Sequence, residues 1–560
     1  MTEANYLGRP LPASDHAFRA SAAPSPKARI TSVGAALGSV YIDVSEVTRS
    51  WGSATRPGSA TIRVCADDED SLTLAWQAGT AALDAARWDL STGPAQRPTS
   101  GLPIGVWWGT SRPPFGEGPS HSYLVASLGL PEDTAGTLIT GSVHAGMDAL
   151  LAAMDAIAAG SVTSALVVAS DAVLPGTGTA VERATGAGAA AFLLEPEAAG
   201  PDGVTSLIIT IRASRSVPIL DRYRGEAQPE VGDLYDPRLF REAVFLPSVE
   251  SMGRALEEAR ESAGAAAIGT WVLPDPDGRL GTAAAKRLGV PAGPTRDLFR
   301  VAGDTGAVAP LLGLAVAIAT PGSPGATVVI SYGGGRTSGL LLEPVSAAAV
   351  SPISRDVPGS AEVRSVVVPR RPDAPTATYA EVLRSRAQLV AMADPVPMGV
   401  PPASAGSIRG TAEVLRREGA KCRSCGWTSI PPTIHPACVN CGATTFDAVR
   451  LGRTGVVHTF VVNQTMPAPF TAPLPLVVVD LDEGSRVMLQ GISACAASLE
   501  IGQRAHLVLR RYALERGAPV YGYKVAPAPA DSPGTSVTGP RSPGATVTGL
   551  ADHGSKEVRT

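Results

Sequence analysis

The chain has 560 residues, 44% of them hydrophobic and 18% charged, with a formal net charge of −4. That length suggests about two to four domains with sizeable buried cores, and the charge balance excludes the overall basic footprint of a polyanion binder. Six cysteines, four of them in one motif, fit a reducing cytoplasm better than a disulfide-stapled secreted protein.

In chain order, residues 1–27 are polar and rich in Pro and Ala, which predicts a flexible arm. They include Glu3 and no apolar core of a signal peptide. From Arg29 to about Leu342, within an expected domain of 28–398, apolar runs alternate with Ala-rich helical patterns, which argues for α/β layering. Buried strands are expected at Ile104-Gly-Val-Trp-Trp, Ala165-Leu-Val-Val-Ala and Thr327-Val-Val-Ile-Ser. Helices buried on most sides are expected over 144–159 and 307–319. The second holds Pro310 and Gly313 and lies in the longest apolar run, which is too short to span a bilayer.

Two segments resemble each other. Gly186-Ala-Gly-Ala-Ala-Ala-Phe-Leu-Leu-Glu195-Pro196 and Gly333-Gly-Gly-Arg-Thr-Ser-Gly-Leu-Leu-Leu-Glu343-Pro344 are each a Gly-rich turn feeding an apolar strand that stops at Glu-Pro. Each also follows a Val-Val strand. A duplicated fold would produce this, with halves at about 28–200 and 201–398; chance similarity in an Ala/Gly-rich chain is the alternative. A Pro/Ser/Val segment over 345–375 leads to a helical stretch over 379–392 and a Pro/Gly/Ser linker over 393–408.

The strongest motif is Cys422-Arg-Ser-Cys425 followed, after twelve residues, by Cys438-Val-Asn-Cys441. Two such knuckles make a four-thiolate cage, the arrangement of a structural zinc site, which leaves no open position for chemistry. Gly426 and Gly442 supply the permissive backbone after each knuckle. His435 is an alternative ligand that nothing requires. A linker helix and this ribbon are expected over 399–445. Short strand-like runs at 455–462, 476–482, 486–491, 506–511 and 521–525 predict a small all-β barrel over 446–527. The tail, 528–560, repeats Ser-Pro-Gly-x-x-Val-Thr-Gly from Ser532 and Ser542 and is expected to be disordered.

The C-terminal part resembles the zinc-ribbon plus OB-fold proteins that accompany thiolase-like enzymes. The residues are Cys422-x-x-Cys425-Gly, Pro431-Pro432, Cys438-x-x-Cys441-Gly, Gly455-Val-Val-His-Thr-Phe460, Leu481-Asp-Glu-Gly484, Ile501-Gly502 and Tyr521-Gly-Tyr523. The resemblance implies a domain that contacts acyl-CoA and bridges subunits. Residues 28–395 resemble 3-hydroxy-3-methylglutaryl-CoA synthase of the thiolase superfamily. Markers include Ile30-Thr-Ser-Val-Gly34, Asp68-Glu69-Asp70, Gly109-Thr-Ser-Arg-Pro-Pro-Phe115, Gly303-Asp-Thr305 and Ser331-Tyr-Gly-Gly334. The implied fold is α/β: a duplicated, layered thiolase-like body, then a rubredoxin-like zinc ribbon and a small OB barrel. The implied assembly is a cytoplasmic homodimer through the thiolase-like part.

The catalytic residues depart from the family. Its nucleophilic cysteine falls on Val143 and its glutamate on Ser111. Its histidine falls near Pro274 or Asp275, and its asparagine on Asp304. No histidine occurs between His144 and His435, and no cysteine between Cys65 and Cys422. Candidate replacements are His144, one residue past the lost nucleophile, with Asp275 and Asp304 as a carboxylate pair for proton transfer. Each is more readily a bystander: His144 as a polar residue beside the site, the acids as loop and turn residues. Ser111 and Ser142 lack the Ser-His-Asp order of a nucleophile. Over 408–527 there are 13 Lys and Arg against 8 Asp and Glu. Arg510 and Arg511, with Arg450 or Arg453, are candidates for CoA phosphates.

Three functions follow from this reading. The first is a divergent acyl-CoA or acyl-carrier enzyme, with aldol- or Claisen-type C–C bond chemistry or acyl transfer and no covalent cysteine intermediate. The second is a non-catalytic acyl-CoA-binding scaffold, or a partner subunit of an active thiolase-like enzyme. Single-strand nucleic-acid binding is a remote third, because the barrel aromatics do not interleave with basic residues.

Overall fold

In the computed structural model, the two similar Gly-to-Glu-Pro segments occupy equivalent places in one large sheet. The structure describes residues 20–528 apart from 53–60, 89–103, 198–205, 226–227, 235, 321–324, 346–356, 358, 368–374, 390–409, 433, 467–469, 471, 493–494, 496–497 and 516. The strands of the first part are β1 (Ser21–Ala22), β2 (Ala28–Leu37), β3 (Val40–Asp43), β4 (Thr61–Val64), β5 (Ile104–Gly109), β6 (Ala135–Ile139), β7 (Ser164–Ala172), β8 (Ala187–Pro196), β9 (Ser206–Ser216), β10 (Ile268–Val272), β11 (Ala326–Gly333) and β12 (Arg336–Val345).

The sheet order is β10-β11-β12-β9-β2-β8-β7-β5-β6, with β1 added to β9. Strand β2 is antiparallel to β8, β8 antiparallel to β7, and β7 parallel to β5. The same pattern recurs in β9, β12, β11 and β10. The two sets meet where Arg29 and Ile30 pair with Ile208 and Leu207. Duplication, not chance, therefore explains the repeat: β8 and β12 are counterparts. Strand β6 ends the order and, among the described residues, has no partner on its outer side.

Successive residues of one strand serve different cores, as a period of two requires. On β8, Ala190, Phe192 and Leu194 join the central core, whereas Ala189, Ala191 and Leu193 join an outer one. On β12, Leu340 and Leu342 face the centre and Leu341 faces away. The central core holds the helices Ala145–Ala158 and Ala309–Ala319. The outer cores hold Ser71–Ala85 with Ser120–Leu128 on one side and Leu246–Ala263 with Leu280–Leu288 on the other. Strands buried on both faces read as unbroken apolar runs. The helix over 309–319 is apolar all round because it lies between the two halves.

Of the predicted arm, residues 1–19 lie outside the described residues. Residues 21–22 are a strand, paired with Arg212 and Ile211. The linker over 393–408 and the tail beyond 528 lie outside the described residues. Of the expected linker helix, the described residues hold only a π-type turn over Thr411–Leu415.

The ribbon is a three-stranded sheet, β14 (Thr428–Ser429), β13 (Glu418–Cys422) and β15 (Phe446–Arg450). The barrel runs in the order β18-β17-β16-β19-β20, from β16 (Thr454–Asn463), β17 (Leu474–Leu481), β18 (Arg486–Gln490), β19 (Arg504–Glu515) and β20 (Ala518–Pro527). A bridge from Gly491 to Val525 brings the two end strands together. The barrel shares a core with the helices at 71–85 and 120–128. Trp76 meets Tyr523 edge to face at 5.6 Å, and the Tyr523 hydroxyl donates to the carbonyls of Ser127 and Leu415. No helix among the described residues is long and apolar enough to cross a membrane.

Candidate functional site

The ribbon brings Cys422, Cys425, Cys438 and Cys441 together, with their sulfurs all within 4.8 Å of one another. Each knuckle closes the same way. Gly426 N donates to the Cys422 carbonyl at 2.9 Å and Gly442 N to the Cys438 carbonyl at 2.8 Å, both glycines at positive φ. A hydrogen bond with the Asn440 side chain pulls the Cys425 thiol down to about 6, which favours the thiolate a metal takes. The exposed His435 is not part of the cluster. Four sulfurs at this spacing fit a tetrahedral structural ion.

The second site lies where the two halves meet. A cleft of about 560 Å³ is lined by Ser111, Ser142, Val143, Arg222, Arg224 and Gln228 among others. Close packing surrounds Val143. A Cβ on Gly146 would lie 2.2 Å from the Ala307 carbonyl, and one on Gly333 would lie 2.4 Å from Val143 Cγ2. The start of the helix at 145–158 thus abuts both the turn before the helix at 309–319 and the Gly-rich turn between β11 and β12. Val143 stands on the cleft wall two residues before that helix begins.

Two polar pairs stand at this cleft. Ser111 Oγ donates to Asp171 Oδ2 at 2.6 Å, and Asp171 is fully buried. The same oxygen accepts from Ala307 N at 2.9 Å. Arg222 Nη1 donates to Asp304 Oδ2 at 2.7 Å, and Gly306 N donates to Asp304 Oδ1 at 3.0 Å. Burial raises the Asp304 carboxyl, and Arg222 opposes the shift. Arg224 Nη2 holds the Ser111 carbonyl at 2.9 Å.

The three residues expected to replace the catalytic set do not line the cleft themselves. Asp304 reaches it through Arg222. Asp275 is buried in a turn, with Oδ1 accepting from Gly281 N at 3.1 Å and Oδ2 without a hydrogen bond. Burial lifts its carboxyl to about 6. His144 is fully buried. Its Nδ1 lies 3.1 Å from Asp148 Oδ2, ion-pair distance but misaligned for a hydrogen bond, and Nε2 has no partner among the described residues.

Arg510 and Arg511, the candidates for CoA phosphates, lie at the seam between the α/β body and the barrel. Arg510 is 5% exposed and sits 3.0 Å from Glu69 Oε1. Arg511 donates its backbone N–H to the Asp68 carbonyl and Nη2 to that of Asp67. Arg453 pairs with Asp84 at 2.6 Å. Asp171, Arg222 and Arg224 escaped the sequence reading. Asp171 had a signal: an acid ending an otherwise apolar strand is costly unless it has work to do. The arginines lie in a loop whose return to the cleft has no local signature.

The ChsH2 C-terminal OB-fold domain family matches residues 448–510. A DUF35 domain-containing scaffold protein of Methanocaldococcus jannaschii is 31% identical over 114 residues, which are 20% of this chain and 79% of that protein. A hydroxymethylglutaryl-CoA synthase of Thermococcus onnurineus is 27% identical over 165 residues, 30% of this chain and 44% of that protein. Among solved structures, MvaS in complex with 3-hydroxy-3-methylglutaryl coenzyme A is similar with a TM-score of 0.49 and 19% identity, over 67% of this chain and 94% of that one. The chain belongs to the DUF35 domain-containing family, carrying that domain behind an α/β body.

Proposed function

We propose that the cleft binds the thioester end of an acyl-CoA or acyl-carrier substrate and moves a proton as a C–C bond is made or broken, with no acyl-cysteine intermediate. The observation that carries this is the Ser111–Asp171 hydrogen bond of 2.6 Å on the wall that also holds Val143. Asp171 accepts from two hydroxyls, those of Ser111 and Thr110, and from Ala307 N. It can take the Ser111 proton while the Ser111 oxygen takes one from a substrate β-hydroxyl. The C–C electrons then pass to the carbon next to the thioester as the β-carbon becomes a carbonyl. Arg222 and Arg224 supply positive charge at the cleft for the enolate that results. Val143 gives the site no nucleophile.

The remainder of the reading is architectural. The four cysteines would hold one structural zinc in a reducing cytoplasm. The free edge of β6, with Gly136 and Thr137 exposed, offers a strand-pairing surface for a homodimer. The domains would divide as 28–398, 399–445 and 446–527.

Two observations favour the second reading, a non-catalytic acyl-CoA-binding scaffold or partner subunit. His144 is sealed from the cleft, and Asp275 is held in a turn. The test is turnover by the purified chain on a panel of β-hydroxyacyl- and β-ketoacyl-CoAs, alone and with any condensing enzyme that co-purifies. Release of a carbonyl compound and a shortened acyl-CoA by the chain alone supports the enzyme. No turnover alone, with stimulation of a partner, supports the scaffold.

A further inference from the structure

A second cavity, of about 220 Å³, lies at the seam between the thiolase-like body and the barrel. Three arginines line it from three separate parts of the chain. Arg112 follows β5, Arg386 ends the helix Tyr379–Ser385, and Arg511 stands on β19. Two carboxylates also reach the wall, Glu69 and Asp70, and both are committed elsewhere. Glu69 Oε2 accepts from Ser39 N, Ser39 Oγ and Ala66 N, and Oε1 faces Arg510 at 3.0 Å. Asp70 Oδ1 caps the helix at 71–85 through Leu72 N and Thr73 N, and Oδ2 accepts from the Tyr521 hydroxyl at 2.7 Å.

Little negative charge is left for the arginines. Among the described residues, Arg386 pairs with Glu182 at 3.9 Å and Arg511 with Asp70 at 3.9 Å, the far limit of an ion pair. Glu182 itself accepts from Gly178 N and the Tyr379 hydroxyl. Arg112 donates to the Ala172 carbonyl. Burial lowers the Arg112 and Arg386 guanidiniums; Arg224 and Arg511 lower Arg112 further, whereas Glu182 opposes the shift at Arg386. Gathering cations from both domains around a hollow costs free energy unless an anion enters. Guanidiniums are the donors that match phosphate oxygens best.

We propose that this cavity is a binding site for a phosphate-class anion, held by Arg112, Arg386 and Arg511 across the domain seam. The anion would join the body to the barrel, because the Arg511 strand belongs to one and the other two arginines to the other. It can be a free inorganic phosphate or pyrophosphate, or a phosphate group of CoA. The seam cavity and the substrate cleft are neighbours, since Arg112 lines one and Ser111 the other.

The test is calorimetric titration and thermal unfolding of the full zinc-loaded chain with inorganic phosphate, pyrophosphate and CoA in separate arms. One anion per chain should bind and raise the melting temperature. Arg386→Gln and Arg511→Gln should each weaken binding at least tenfold, whereas Arg254→Gln, on the exposed face of the helix at 246–263, should not. Binding of pyrophosphate identifies a free anion as sufficient. Binding of CoA alone, weakened by Arg386→Gln, identifies the phosphate as part of the larger molecule. If Arg511→Gln loosens the barrel, Arg386→Gln remains a test within the body. The proposal fails if none of the three probes binds, or if binding survives both arginine substitutions unchanged. Because the readout is binding of a phosphate probe, failure of the proton-transfer reading leaves the outcome untouched.

Discussion

Lys524 Nζ lies 2.9 Å from Asp68 Oδ2, with both side chains more than nine-tenths buried, and the pair bolts the barrel to the α/β body. Arg510 stands 3.6 Å from the same carboxylate and 3.0 Å from Glu69, and Tyr521 donates to Asp70. The acidic triplet that opens the helix at 71–85 is therefore an interdomain lock. Removing one partner strands a buried charge. Asp68→Asn or Lys524→Met should each destabilise the docked barrel by about 3–5 kcal/mol. The double variant Asp68→Leu with Lys524→Met should recover most of that loss, because two apolar side chains leave less charge unpaired. Thermal unfolding, with limited proteolysis at the seam, measures both. A double variant as unstable as the singles would show that the lock resides in other contacts.

Asp275 predicts a pH dependence. Burial lifts its carboxyl from 3.8 to about 6, so the folded protein disfavours the charged form. Its contribution is most favourable below pH 4, falls as pH rises from about 4 to about 6, and is a constant penalty above that. The penalty is on the order of 3 kcal/mol. Asp275→Asn, which can still accept from Gly281 N, should raise stability at pH 8 and converge on the parent near pH 4. Chemical denaturation across that range is the measurement. An equal effect at both ends would remove ionisation as the cause.

Much of the fold was legible before the structure. The strand at 165–169 and the helix at 309–319 were readable because burial on both faces writes long apolar runs, and that signal is local. The two Gly-to-Glu-Pro segments carried the duplication, since counterpart strands share both a turn and an end. The four-cysteine cluster was readable because both knuckles are local and the ligand chemistry is narrow. The cleft was not. Ser111 and Asp171 lie sixty residues apart and meet only because β5 and β7 are neighbours in the sheet. Arg510 looked free for phosphate because nothing in its strand reveals that Glu69 folds against it. Positions alone suggested His144, but burial in three dimensions decides whether a side chain can reach a substrate.

The metal prediction is stoichiometric. Purified protein should carry one zinc per chain, and Cys425→Ser or Cys441→Ser should lose it. Metal binding to four thiolates should stabilise the ribbon by several kcal/mol, so a strong chelator should expose the 418–450 segment to protease first. A folded ribbon with no metal would refute this.

For the proton-transfer pair, Ser111→Ala and Asp171→Asn should each lower turnover roughly 10²–10⁴-fold while acyl-CoA binding persists. Asp171 is also a structural anchor for Ala307 N, so the split between turnover and binding is the informative readout. Loss of binding in both variants would assign the pair to holding the cleft open. Full activity in both would move the chemistry to Arg222–Asp304.

Val143 allows the most direct check on the cleft. It stands at the start of the helix 145–158, on the cleft wall, where the helix dipole would favour a thiolate if a cysteine stood there. The parent chain, with no nucleophile at this position, should show no acyl adduct in the thiolase-like body after incubation with acyl-CoA. Val143→Cys should acquire one, because a thioester that enters the cleft as proposed would place its carbonyl beside the new sulfur. The chemistry balances: the thiolate attacks the carbonyl carbon, the CoA thiolate leaves and takes up a proton, and the acyl group remains on Cys. The substitution is small, since a cysteine removes one methyl from the contact with Gly333. Intact-mass spectrometry with peptide mapping reads the result. An adduct in the parent, mapped to Ser111, Ser142 or Cys65, would overturn the non-covalent mechanism. An unmodified Val143→Cys that nevertheless binds acyl-CoA would place the thioester away from this helix and remove the cleft from the reaction.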